Sequence, residues 1–154
     1  MMTDKQLTIR TFARHDAAAV SALIRYTMAV SNSGDYPLEQ LQPLMDYFSP
    51  EKVLLLSDER ICLVAEIGGE IVGTVALEGA ELCTFFVHPD TQGKGIGTRL
   101  LVEIERRAIA AGVQEIHTHA SVTGMPFYEQ RGYRRTGDEI EGTAGRQIGI
   151  VKAL

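Results

Sequence analysis

The most constraining stretch of this chain is the join between an apolar run and a glycine-rich loop. Leu82-Cys83-Thr84-Phe85-Phe86-Val87 is rich in β-formers and reads as a strand. Gln92-Gly93-Lys94-Gly95-Ile96-Gly97 follows it closely. An amphipathic helix is then predicted over 97–111, burying Leu100, Leu101, Ile104 and Ala108. Glu103 and Arg107 form an i,i+4 pair on its wet side, and Gly112 is its natural stop. Glycine lets a backbone approach a ligand closely and adopt positive φ. Successive N–H groups at a helix N-terminus favour an anion. The loop therefore reads as a phosphate device, against the plainer reading of a glycine-rich turn that binds nothing. Its spacing is neither a Walker A loop nor a dinucleotide fingerprint.

Charge makes the local character of this device matter. The chain has 154 residues, with 15 basic and 20 acidic side chains and a formal net charge of −5. No general basic footprint draws it to nucleic acid or to an anionic membrane. An anionic ligand has to be held by backbone donors, with Lys94 offering one charge. The apolar share of 45% supports a real core, and the length suits a single domain over 1–154. Cys62 and Cys83 lie in apolar runs and read as small buried thiols, with no Cys-x-x-Cys spacing for zinc. The polar start and the lack of a long apolar stretch point to the cytoplasm and away from a membrane.

The remaining elements read as follows. A strand is predicted over 8–12, and a helix after an Asp16 N-cap carries Val20, Leu23, Ile24 and Met28 on one face. A loop spans 32–37, a second helix 37–48, and Ser49-Pro50-Glu51 starts a short helical turn. Strands at 62–67 and 70–77 flank Gly68-Gly69 as a hairpin. A fifth strand runs over 115–120. A short helix over 123–131 takes Pro126 in its first turn and ends at Gly132. Strands near 133–136 and 146–152 close the chain as a hairpin. This order predicts an α/β (α+β) fold with a mixed, mostly antiparallel central sheet flanked by helices.

Two motifs carry a resemblance. The loop from Gln92 to Gly97 resembles the Gln/Arg-x-x-Gly-x-Gly/Ala signature of the GNAT superfamily of acetyl-CoA-dependent N-acetyltransferases, and Phe86-Val87-His88-Pro89 resembles the preceding strand end. Downstream, Phe127-Tyr128-Glu129-Gln130-Arg131-Gly132-Tyr133 resembles the family's Phe-Tyr-Glu-x-x-Gly-Phe/Tyr segment. The resemblance implies acetyl-CoA as co-substrate and direct transfer of its acetyl group to a primary amine, on a small molecule or a protein. The cofactor-binding residues it implies are Phe86, Val87, Gln92, Gly93, Lys94, Gly95, Ile96, Gly97 and Thr98. Ser121, where the family often has Asn, takes a contact to the pantetheine.

The catalytic residues it implies are Glu81 and Tyr128. Glu81, eleven positions before Gln92, matches a catalytic base of histone-acetylating members, against a solvated strand-start glutamate; Glu78 is a weaker substitute. Tyr128 matches the tyrosine that gives the leaving thiolate a proton, against a plain core aromatic. Gly124, where the family has Ala, is expected to loosen its helix. A non-catalytic acyl-CoA sensor on the same fold is the competing reading.

Other features stay open. His117-x-His119 lacks further ligands for a metal. Arg131, Arg134 and Arg135 form either a solvated face or a contact to the 3′-phosphate of CoA. Asp35 and Tyr36 either meet a cationic amine or simply form a turn. An exposed sheet edge offers a homodimer contact.

Overall fold

The computed structural model describes residues 6–32, 37–142 and 145–154. Its core element is a seven-stranded sheet in the order β1-β2-β3-β4-β5-β7-β6. The strands are β1 (Leu7–Thr11), β2 (Ile61–Ile67), β3 (Glu70–Glu78), β4 (Glu81–Val87), β5 (Glu115–Ser121), β6 (Arg134–Gly142) and β7 (Gly145–Ala153). Every neighbouring pair is antiparallel except β4 and β5, which run parallel. The helices are α1 (Ala17–Asn32), α2 (Leu38–Tyr47), α3 (Pro50–Ser57), α4 (Ile96–Ala110) and α5 (Met125–Glu129).

Strand alternation divides the core between the two faces. Leu63, Ala65, Val75, Leu77, Leu82, Ile116 and Ile150 pack with Leu100, Leu101 and Ile104 of α4. On the other face Val64 and Phe86 pack with Val20, Ile24 and Met28 of α1 and Val53 of α3. The β2–β3 hairpin turns at Gly68 and Gly69, with φ of 58° and 85°. Those two positive angles are what a two-residue hairpin needs, so the glycines there are a backbone requirement.

Three local expectations change. Asp16 does not cap α1. It ends a 3₁₀ turn, Arg14–Asp16, and reaches back to accept the Ala13 N–H at 2.7 Å. It is 3% exposed and receives Arg10 Nη1 and Nη2 at 2.8 and 3.0 Å. That bidentate hydrogen bond holds the carboxyl below its ordinary range and keeps a buried charge compensated. The closing strands are longer than predicted, because Glu139 to Gly142 pair with β7 while carrying little apolar alternation. Cys62 and Cys83 are free and half-buried. They flank Ala76 from β2 and β4, and burial pushes the Cys62 thiol up to about 11.

Candidate active site

The parallel pair β4/β5 barely pairs. Its one register match is Glu81 with His117. At that end Thr118 Oγ1 donates to the Leu82 carbonyl at 2.9 Å, and the His117 N–H donates to the Ala80 carbonyl at 3.0 Å. Beyond residue 82 the strands part, and both line one cleft of about 1060 Å³. The glycine loop and α5 complete its walls.

A bulge in β4 shapes the cleft's middle. The β3–β4 register shifts between Thr74 and Ala76, leaving Thr84 and Phe85 without partners on β3. Thr84 has φ of 42°, the one positive φ outside glycine among the described residues. A β-branched residue resists that conformation, so the backbone is strained where it meets the cleft. The extra residue resets the alternation: Leu82 and Phe85 both face the α4 side, with Phe86 on the α1 side.

At the cleft's other end, Gly95 caps α4 with φ of 78°, and Gly93 has φ of 85°. A side chain at either would meet nothing within 4 Å, so backbone angle rather than crowding selects glycine there. The first turn of α4 carries no acidic residue. Instead, Arg131 lies over it. Its Nε donates to Thr98 Oγ1 at 3.1 Å, and Nη2 donates to the same oxygen. Its Nη1 donates to the Phe127 carbonyl at 2.7 Å, and the guanidinium sits 3.8 Å from the Phe127 ring centroid. No carboxylate pairs with it among the described residues. A cation at the positive end of a helix is unfavourable alone. Loop, helix terminus and arginine together fit a bound phosphate.

Tyr128 closes the cleft from α5. Its ring meets Phe85, Phe127 and Tyr133 edge-on, with centroids 6.3, 5.3 and 5.4 Å away. Burial pushes its phenol up to about 12, so it keeps its proton at neutral pH. The hydroxyl has no hydrogen-bond partner among the described residues.

Most of the sequence-predicted site residues meet here. Phe86, Val87, Gln92, Gly93, Gly95, Ile96, Gly97, Thr98, Ser121 and Tyr128 all line the cleft. Lys94 is exposed and outside the lining. Glu81 is also outside it, two residues before Cys83 on the α1 face of the sheet. The Ser121 hydroxyl accepts the Gly124 N–H at 3.0 Å. A Cβ on Gly124 would sit 3.0 Å from that oxygen, so the glycine preserves the turn into α5. Asp35 and Tyr36 lie outside the described residues. His117 and His119 belong to no metal-binding group among the described residues. Thr27 and Thr84 line the cleft without a motif that placed them there, and Arg131, read from the sequence as part of a solvated face or a 3′-phosphate contact, lines it too.

Known proteins agree with this architecture. The sequence model of the acetyltransferase (GNAT) domain matches residues 32–148. An acetyltransferase from Pectobacterium atrosepticum is 41% identical over 64 residues, covering 39% of this chain and 45% of that protein. The chain thus spans less than half the length of that curated relative. An N-acetyltransferase structure from Rhodopseudomonas palustris superposes with a TM-score of 0.85 at 23% identity, covering 100% of this chain and 99% of the other. The PaiA N-acetyltransferase of Thermoplasma acidophilum, solved with coenzyme A, gives 0.84 at 21% identity, covering 97% and 99%. Those two structures share the fold, and no helix of the described residues is long and apolar enough to cross a membrane. The chain belongs to the GNAT acetyltransferase family, whose co-substrate is acetyl-CoA.

Proposed function

We propose that this chain transfers the acetyl group of acetyl-CoA directly to a primary amine. The observation that carries this reading is the parting of β4 and β5 onto a glycine-opened helix N-terminus. Amides of residues 93–98 hold the pyrophosphate, and the Arg131 guanidinium adds the charge that an acidic protein otherwise lacks. Backbone groups of residues 84–87 pair with the pantetheine arm, in the space that a strand neighbour would fill. The resemblance implies cofactor contacts at Phe86 and Val87. The bulge makes Thr84 and Phe85 the better donors, because they lack partners on β3. An N–H turned out of the ladder there stabilises the oxygen charge that develops as the amine adds.

Proton handling follows from the same geometry. An alkylammonium is mostly protonated at neutral pH and has to lose a proton before it attacks. Glu81 takes that proton through water, since its strand position is roughly 7 Å along β4 from Cys83. The new bond is nitrogen to carbonyl carbon; the bond that breaks is carbon to sulfur. Tyr128 gives its phenolic proton to the departing sulfur, the nitrogen sheds its extra proton to water as the amide forms, and the phenolate is reprotonated from that solvent.

Measuring thiol release from acetyl-CoA with a panel of amines tests this reading. We expect turnover with at least one amine, and a kcat lower by about 100-fold in Tyr128→Phe. Acetyl-CoA binding without turnover of any amine would favour the sensor reading instead.

A further inference from the structure

Thr27 of α1 lines the cleft on the side of the sheet that Phe86 faces. It is 6% exposed. Its Oγ1 is sealed from solvent and has no hydrogen-bond partner among the described residues. A threonine inside a helix commonly returns its hydroxyl to a carbonyl one turn earlier. Thr27 does not. A buried hydroxyl left unpaired costs stability, and a valine of the same shape at that place would not.

The position of Thr27 is well defined. Its neighbour Tyr26 stacks on His88, just after β4, with ring centroids 5.0 Å apart. Ile24 and Met28 of the same helix are core residues. Threonine has two common χ1 rotamers in a helix, so a single rotation exchanges methyl and hydroxyl at little cost. Since the residue lines the cleft while its oxygen is sealed, that rotation is what presents the oxygen to a bound molecule. Among the described residues no carboxylate lines the cleft. A hydroxyl, which both donates and accepts, is then the uncharged group on the α1 wall able to hold a nitrogen.

We propose that Thr27 Oγ1 positions the acceptor by accepting an N–H of the incoming amine in its neutral form. The nitrogen lone pair is left free for the carbonyl carbon, which makes Thr27 a specificity-determining residue of the acceptor side. This assignment rests on the acetyl-transfer reading above.

The test compares wild type, Thr27→Val and Thr27→Ser with the best amine of the panel. Thr27→Val should lower kcat/KM for the amine by roughly fivefold to tenfold. The KM for acetyl-CoA should stay within about twofold, and Thr27→Ser should recover most of the loss. The Tm of ligand-free Thr27→Val should equal or exceed that of wild type, because no internal hydrogen bond is lost. An unchanged amine kcat/KM in Thr27→Val would overturn the assignment while leaving wild-type turnover intact. So would a loss confined to acetyl-CoA, or a lowered Tm in Thr27→Val with full activity in neither variant. A wild type that releases no thiol with any amine overturns the acetyl-transfer reading first, and this assignment with it.

Discussion

In the proposed reading two side chains set the chemistry of the cleft, and each has a measurable signature. The Tyr128 phenol is pushed up to about 12 by burial among aromatic rings. It stays protonated and able to donate across the working range, so its titration should add no falling limb to the kcat profile below about pH 11. The same shift bears on folding. Between the ordinary phenol value near 10 and its folded value near 12, the unfolded chain has lost a proton that the native one keeps. The Tyr128 contribution to stability is therefore constant below about pH 10 and declines above it. Urea titrations of wild type and Tyr128→Phe between pH 8 and 11 check this, with wild type falling more steeply at the alkaline end. In that reading Arg131 acts on binding. Arg131→Gln should raise the KM for acetyl-CoA about tenfold with little change in kcat, and acetyl-dephospho-CoA should suffer the same factor. An effect limited to the 3′-phosphorylated form would move the arginine from the pyrophosphate to the 3′-phosphate.

At the scale of elements, the decisive piece is the turn into α4. Gly95 at φ of 78° gives the helix its start and leaves its N-terminus without a side-chain cap. Gly95→Ala forces an L side chain into the left-handed region, at a cost of about 1 kcal/mol. That corresponds to a Tm lower by about 2–4 °C, and thermal shift with and without acetyl-CoA should show reduced stabilisation by the ligand. This element was legible in the sequence because its cause is local: a strand run, alternating glycines and a 3.6-residue apolar period. Tyr128 was legible for the same reason, as part of one contiguous segment. The bulge at Thr84 was not, because threonine suits a strand and only the β3–β4 register forces it to positive φ. Asp16 likewise looked like a helix cap, and its true partner, Arg10, is fixed by the path of β1. Arg131 was legible as a candidate phosphate contact within the second motif, whereas Thr27 reaches the cleft from α1 and no short spacing could reveal it.

The whole molecule turns an incomplete sheet into a binding site. Two apolar layers hold the sheet from either side: α4 on one face, α1 and α3 on the other. The join between its two halves is closed at Glu81 and His117 and open beyond. The net charge of −5 is no obstacle to an anionic co-substrate in the proposed reading, where backbone amides and one arginine carry recognition. In the proposed reading, bound acetyl-CoA fills the gap between the strands and orders the loop. Hydrogen exchange of the backbone amides, with and without acetyl-CoA, reads that directly. The account predicts added protection concentrated at residues 84–87 and 93–98, with β1 and β2 little changed. Protection absent from those segments, while acetyl-CoA binds elsewhere on the chain, would contradict it.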